Sequence, residues 1–179
     1  MITVSNIKKN PYEKNSNNYK HDKFDISIQS EYRGELDVYI IEIIGTVNGS
    51  IQSGSVGMVI REDQLLNQGK ILFKDLWVPS GIGNQGLGHL LMETVFKIAD
   101  DFVSFYHLNT KIAISGWLSR ADYENGNWKI SLPFYESVAK KEDVEFVFRC
   151  RKTGLQYKSA EEYLANASNE DGDIIYFLG

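Results

Sequence analysis

The sequence predicts a single α/β domain of the α+β kind, with a mixed, mostly antiparallel sheet flanked by helices. Three observations lead to this prediction. In the first half, short runs alternate apolar and polar residues between turn residues, as antiparallel strands do. In the second half, strand patterns alternate with helical ones. Between them, residues 71–101 read as a buried strand, a glycine-rich turn and a long amphipathic helix.

Length and composition agree with one globular domain. The 179 residues are 42% apolar and 24% charged, which is enough to bury a core. The net charge of −5 argues against a nucleic-acid partner, because no basic excess is present to bind phosphates. The single cysteine, Cys150, has no second cysteine with which to form an internal disulfide. The first ten residues lack the apolar segment of a signal peptide, and no apolar run is long enough for a membrane span. We therefore expect a cytoplasmic protein with no membrane partner.

The first half of the chain is expected to form an antiparallel meander. Asn48-Gly49 is a hairpin signal between two strongly β segments, and residues 31–34 predict another turn. The expected elements are, in order, a short edge strand (2–7), a loop or partly flexible arm (8–23), strands at 24–29, 36–47 and 56–60, and a short helix at 61–68 that Gly69 ends.

The second half begins with the strand 71–78 and a helix from about Leu87. Apolar residues at three- and four-residue spacing give this helix one core-facing stripe, formed by Leu87, Leu91, Val95, Ile98, Phe102 and Phe105. The further elements are expected to be a strand (111–115), an irregular stretch (116–130), a helix (131–141) capped by Ser131 with Pro133 in its first turn, a strand (144–150), a helix (160–165) capped by Ser159, and a closing strand (174–178) that can pair across a homodimer.

The glycine-rich turn predicts an anion site. Gly81, Gly83, Gly86 and Gly88 fall within eight residues, and glycine lets another molecule approach the main chain closely. A helix that starts after such a turn directs its unpaired N–H groups and positive dipole end into the turn. Strand, turn and helix together are typical of a phosphate-binding site.

The residues from Gly81 to Gly86 match the consensus G-x-G-x-x-G of dinucleotide-binding proteins. That consensus normally follows the first strand of a parallel sheet, whereas about 70 residues of β-meander precede it here. In addition, the next strand ends in Ser115-Gly116-Trp117, with no carboxylate to bind a ribose hydroxyl. A nucleotide-binding α/β protein is therefore the weaker interpretation.

Two segments resemble a known family instead. Leu76-Trp77-Val78-Pro79, followed by Gly83-Asn84-Gln85-Gly86-Leu87-Gly88, resembles the acyl-CoA loop of the GNAT superfamily of N-acetyltransferases, whose pattern is Arg/Gln-x-x-Gly-x-Gly/Ala. The later segment Leu132-Pro133-Phe134-Tyr135-Glu136-Ser137 is similar to that family's Leu-Tyr-Glu-Ser helix. The likeness spans residues 56–150.

The resemblance implies a reaction and a set of residues. It implies transfer of an acetyl group from acetyl-CoA to a primary amine of a small molecule or peptide by direct attack, without a metal. Tyr135 is implied as the proton donor to the leaving thiolate; the alternative is a tyrosine of the core or of the CoA contact. Asp75 is implied as the general base; the alternatives are a pair with Lys74 or with a loop amide, or a position facing water. The implied cofactor contacts are Leu76, Trp77, Val78, Gly83, Asn84, Gln85, Gly86, Leu87, Gly88 and His89.

One departure from the family pattern keeps a second hypothesis open. Gly83 stands where the family usually has Arg or Gln, so that a side-chain contact to the pyrophosphate is lost. The backbone amides of residues 84–89 remain, and Gln85 or His89 can substitute for it. A non-catalytic acyl-CoA-binding domain with a sensing or interaction role is therefore the alternative function.

Several other residues carry open alternatives. Asp122 and Glu124 can bind a cationic acceptor or can be solvated loop charges. Trp117 and Trp128 bracket the same loop and can line a substrate cleft or belong to the core. The three histidines, among them His107, and the single cysteine show no metal-ligand spacing.

Overall fold

The computed structural model describes residues 1–48, 50–83, 85–167 and 170–179. The chain divides into two compact units, residues 1–110 and 111–179, which we call the N-terminal unit and the C-terminal unit. Each unit contains antiparallel strands and helices, which confirms the predicted α+β class. That the two units belong to a single domain stays a prediction.

The N-terminal unit contains a meander of five strands among its described residues. Each strand pairs antiparallel with the next one along the chain. Its elements are α1 (Val4–Lys9), β1 (Asn15–His21), β2 (Phe24–Arg33), β3 (Val38–Val47), β4 (Ser53–Arg61), α2 (Glu62–Gln68), β5 (Lys70–Trp77), a short 3-10 helix (Ser80–Ile82) and α3 (Leu87–Tyr106).

Helix α3 covers one face of this sheet. A Cβ on Gly45 of β3 would lie 2.5 Å from Leu87 Cδ1, and one on Gly54 of β4 would lie 3.1 Å from Leu87 Cδ2. These residues therefore face the helix, and their neighbours face the opposite way because side chains alternate along a strand. We call the opposite side, which carries Glu42 and Gly57, the outer face. Of the predicted helix stripe, Leu87, Leu91, Val95, Ile98 and Phe102 are buried, and Phe105 is half-buried.

The prediction for the first 23 residues is wrong in two places. Residues 4–9 form helix α1 rather than a strand, because Val4 and Ile7, at helical spacing, are buried together. The expected loop contains β1, all seven residues of which pair with β2. Pairing with a neighbouring strand stabilises this Asn-rich segment despite its low β propensity. Strand β2 continues through Arg33, so the turn occupies residues 34–37 and shares only Gly34 with the residues predicted for it.

The C-terminal unit has its closing strand in the interior of its sheet. Strand β9 pairs antiparallel with β6 on one side and with β7 on the other, so the prediction that it pairs across a dimer is wrong. The elements are β6 (Ile112–Leu118), α4 (Arg120–Glu124), α5 (Trp128–Glu142), β7 (Glu145–Cys150), β8 (Gln156–Tyr157), α6 (Ala160–Asn166) and β9 (Gly172–Leu178).

Helix α5 begins three residues before the predicted cap Ser131, so Pro133 lies inside the helix rather than in its first turn. Burial explains the early start: Trp128 is buried, and its ring lies 5.4 Å from that of Tyr163. The stretch predicted as irregular also contains α4, which Ser119 caps by accepting a hydrogen bond from the Asp122 amide at 3.2 Å.

Helix α6 follows its prediction closely. The Ser159 hydroxyl accepts a hydrogen bond from the Glu162 amide at 3.1 Å, as a capping residue does. No helix within the described ranges is long and apolar enough to cross a membrane.

Candidate functional site

Strand β5 contains a β-bulge just before the glycine-rich turn. The pairing with β4 shifts between Lys74 and Trp77, so that Asp75 and Leu76 stand opposite the single residue Val56. Asp75 has a φ of +54°, a left-handed conformation that aspartate adopts more readily than most residues. A bulge removes backbone groups from the ladder between the two strands. Strand β5 therefore ends with main-chain groups that β4 does not engage.

The turn itself leads directly into α3. Pro79 follows β5, and its carbonyl accepts a hydrogen bond from the Ile82 amide at 3.1 Å. The Ile82 side chain is buried and anchors the turn to the core. Gly86 is the N-terminal cap of α3 and has a φ of +90°, which only glycine adopts without strain. The first hydrogen bond of the helix runs from the Leu90 amide to the Gly86 carbonyl at 3.1 Å.

The start of α3 has the electrostatic character of an anion site. No side chain among the described residues caps this end, and the first turn of the helix contains no acidic residue. At 20 residues, α3 is long enough for a full macrodipole, equivalent to about half a positive charge at its N-terminus. The amides of the first turn have no partner within the helix, because no preceding turn offers them carbonyl groups. This arrangement can bind a phosphate-like anion.

At the end of β5, the side chains of the predicted cofactor contacts point to different faces of the sheet. Val78 lies on the α3 side, since its Cγ2 would be 3.3 Å from a Cβ on Gly54. Trp77 pairs with Ser55, belongs to the outer face and is 61% exposed. The Trp77 side chain therefore points away from the helix start, and only its main chain remains available for the predicted contact.

The predicted residues of the turn lie together in the N-terminal unit, but they differ in burial. Leu87 is buried in the core, so a contact with a ligand is left to its main chain. Gly83 has an extended conformation, with φ −62° and ψ 161°. Asn84 lies outside the described residues. Gly86 is exposed, and Gly83, Gln85, Gly88 and His89 are half-buried.

Asp75 lies at the surface, and His107 lies at the far end of α3 from the glycine-rich turn. The Asp75 carboxylate is exposed rather than buried in the apolar strand, which agrees with the alternative that it faces water. Within the described part of the chain it forms no side-chain hydrogen bond or ion pair. His107 follows the C-terminus of α3, and 20 helical residues at about 1.5 Å each place it about 30 Å from the helix start. This distance removes His107 from the turn.

Tyr135 belongs to the C-terminal unit, on α5. Its side chain is half-buried, and its carbonyl accepts a hydrogen bond from the Tyr176 hydroxyl at 2.8 Å. Burial raises the pKa of Tyr135 to about 12, with a further contribution from the negative charge of Asp122. The phenol is therefore protonated at neutral pH and is able to donate its proton.

The other residues of that region divide between surface and core. Trp128 is 2% exposed and belongs to the core, whereas Trp117 is 60% exposed. Glu124 pairs with Arg120 at 2.9 Å, and Asp122 is exposed. Among the residues that the structure describes, no group of three or more His, Cys, Asp or Glu side chains converges as a metal site.

The outer face of the N-terminal unit carries a candidate functional residue that was not predicted from the sequence. Glu42 is an exposed carboxylate in the middle of β3, although isoleucines flank it at positions 40, 41, 43 and 44. A single charge inside such an apolar run was a signal that this position faces away from the core. Its partners across the sheet, however, depend on strand register.

Comparisons with known proteins give structural neighbours but no sequence relatives. No family model matches the sequence, and no curated protein matches it. A diaminobutyrate acetyltransferase from Paenibacillus lautus, solved with L-2,4-diaminobutyric acid and coenzyme A, is 11% identical, with a TM-score of 0.46, over 75% of this chain and 68% of that one. A protein from Desulfovibrio desulfuricans assigned to the GNAT family of acetyltransferases is 14% identical, with a TM-score of 0.40, over 78% of this chain and 67% of that one.

Both neighbours are described as acetyltransferases, the class that the sequence motifs resemble.

Proposed function

We propose that this protein is an acetyl-CoA-dependent N-acetyltransferase of the GNAT type. It transfers an acetyl group to a primary amine of a small-molecule or peptide acceptor by direct attack. The observation that carries the proposal is the β5–α3 connection. There, a bulged strand end is followed by Pro79, a tight turn, Gly86 at φ +90° and a helix start without a side-chain cap from the described residues.

Each part of this connection serves one part of acetyl-CoA. The helix start, which no described side chain caps, and the amides of residues 85–89 suit the pyrophosphate, because both present N–H groups to an anion. The main chain of residues 76–78, at the bulged end of β5, suits the pantetheine arm and the thioester oxygen. That oxygen gains negative charge in the transition state, and a fixed N–H donor stabilises it.

The reaction requires two proton transfers. The lone pair of the neutral amine attacks the thioester carbonyl carbon, a C–N bond forms, and the C–S bond breaks. The amine nitrogen gives up its proton to a base, for which we propose Asp75, directly or through water. The departing thiolate of coenzyme A takes a proton, for which we propose the Tyr135 phenol. The Tyr135 phenol carries its proton at neutral pH, as this role requires, and its pKa of about 12 makes it a weaker acid than an exposed phenol.

A thermal-shift comparison of acetyl-CoA, coenzyme A and NAD tests the proposal. At about 50 times its dissociation constant, a ligand stabilises the folded state by about 2 kcal/mol, or about 4–8 °C for a chain of this size. We expect this shift with both coenzyme A species and none with NAD. Stabilisation by NAD alone would instead identify a nucleotide-binding protein. If coenzyme A binds, release of its thiol, trapped with a disulfide reagent across a panel of amines, measures turnover.

Gly83 favours one second candidate, a non-catalytic acyl-CoA-binding domain. Glycine has no side chain with which to contact the pyrophosphate, so this position contributes less to the affinity for the cofactor. Binding of coenzyme A without thiol release across the amine panel would favour this candidate.

A further inference from the structure

One row of residues crosses the outer face of the N-terminal unit next to the bulge. Glu42 of β3 pairs with Gly57 of β4, and Gly57 pairs with Lys74 of β5. Lys74 is the residue immediately before the bulged pair Asp75 and Leu76. Neighbouring strands lie about 4.8 Å apart, so the Cα atoms of Glu42 and Lys74 are about 10 Å apart with a glycine between them. The missing side chain leaves a gap in the row.

An alkylammonium chain already occupies this gap. A Cβ on Gly57 would lie 3.3 Å from Lys74 Cγ and 3.5 Å from Lys74 Cε, so the lysine stem leans over β4 in the direction of β3. The space above Gly57 therefore accepts an unbranched chain of methylene groups that starts beside the bulge and ends in an ammonium.

Glu42 is a carboxylate available to bind a cation at the far end of that gap. Its side chain is exposed, and within the described ranges it forms no hydrogen bond or ion pair, including with Lys74. Its other side borders a small cavity of about 130 Å³ that Lys14, Gln29, Glu31 and Ile40 also line. The Glu31 carboxylate is already bonded to Arg33, at 2.9 Å.

We propose that the acceptor is an unbranched diamine, and that Glu42 binds its non-reacting ammonium group. The diamine takes the place of the Lys74 side chain, with its reacting amine beside the bulge, its methylenes over Gly57 and its second ammonium on Glu42. This inference rests on the proposed function, because it places the thioester at the bulged end of β5. A chain of four methylenes between the two nitrogens is as long as the lysine side chain, which has four methylenes between Cα and Nζ. Because the diamine is not attached to β5, it can lie further towards β3 than Lys74 does and bring its ammonium to Glu42.

The test compares 1,4-diaminobutane with n-butylamine, which has the same chain but lacks the second ammonium. The diamine has two amines that can react, which by itself doubles its kcat/KM relative to the monoamine. We expect a further preference of about three- to tenfold, as one charge-assisted contact at an exposed site allows. In Glu42→Gln the ratio of kcat/KM for the diamine to that for n-butylamine should fall to about two, with kcat/KM for n-butylamine little changed. In Lys74→Ala, kcat/KM for the diamine should rise, because the competing ammonium is gone.

Glu35→Gln is the matched control, since Glu35 is an exposed glutamate in the turn after β2 and should keep the wild-type preference. Binding of coenzyme A, measured separately by calorimetry, should be unchanged in every variant. Three outcomes would overturn the inference while coenzyme A still binds. They are no preference for the diamine, a preference that survives in Glu42→Gln, and no acetylation of either amine. Failure of coenzyme A to bind would refute the proposed function itself.

Discussion

Replacing Gly83 with arginine should tighten the binding of coenzyme A, provided that the turn holds a pyrophosphate. The main chain permits the change, because φ −62° and ψ 161° are ordinary values for any L-residue. A Cβ at this position would have Ser80 O as its nearest neighbour, at 3.4 Å, so no rearrangement is needed. The substitution introduces one of the two residues, Arg or Gln, that the GNAT superfamily usually has at this position of its acyl-CoA loop.

The size of the effect follows from two opposing terms. A hydrogen bond from a guanidinium to a phosphate contributes about 1.5–3 kcal/mol. Ordering a long and flexible side chain costs up to about 2 kcal/mol. A side chain that stays near solvent loses only part of this freedom, about 1–1.5 kcal/mol. The net gain is therefore about 0.5–1.5 kcal/mol, which corresponds to a dissociation constant about two- to tenfold lower. The gain should shrink as salt is added, since the contact lies near solvent.

Calorimetric titration with coenzyme A measures this gain, and two controls isolate its cause. Gly83→Ala adds a side chain without the charge and should bind coenzyme A as the wild type does. Pantetheine, which lacks the pyrophosphate, should bind the arginine variant no better than the wild type. Equal affinity of the arginine and alanine variants for coenzyme A would refute the assignment of the turn to the pyrophosphate. An equal gain for pantetheine would do the same.

Three further predictions concern stability and catalysis. Gly86→Ala should lower the free energy of unfolding in urea by about 1–2 kcal/mol, because alanine is strained at φ +90°, whereas Gly83→Ala should leave it unchanged or slightly raised. Asp173→Asn should cost about 1–3 kcal/mol, because the buried carboxylate accepts hydrogen bonds from Arg149 at 3.0 Å and Arg151 at 2.7 Å. Burial raises the pKa of Asp173, but these bonds outweigh burial and hold it below its usual range. Wild-type stability from this group should therefore be fully present above about pH 4 and be lost as the pH falls through the folded pKa, and the asparagine variant should lack this acid-side loss. Tyr135→Phe should lower kcat about 100-fold or more while coenzyme A affinity stays within about twofold; an unchanged kcat would remove Tyr135 from the chemistry.

Local signals in the sequence predicted much of the fold. The stripe from Leu87 to Phe105 predicted helix α3, and five of its six apolar positions are buried. Gly69, at φ +60°, ends α2 as expected, and Ser159 caps α6. These features depend on residues that are neighbours along the chain, so the sequence contains the information needed to predict them.

Features that depend on partners distant in sequence were missed. The Asn-rich segment 15–21 is a strand because β2 pairs with it, and the early start of α5 follows from the burial of Trp128 against Tyr163. In the candidate site, the sequence identified the turn and its glycines. It did not show that Asp75 is exposed in a bulge, or that the side chains of Trp77 and Val78 point to opposite faces.

By itself, the sequence determined the class of fold, the strand–turn–helix segment and the resemblance from which acetyl-CoA was inferred. Only the tertiary structure brought Glu42, Gly57 and Lys74 into one row, although 32 positions separate the first from the last. The physical reason is strand register, because a slip of one residue turns every side chain of a strand to the other face. Register is set by the sum of pairings and burial across the sheet rather than by any local sequence pattern.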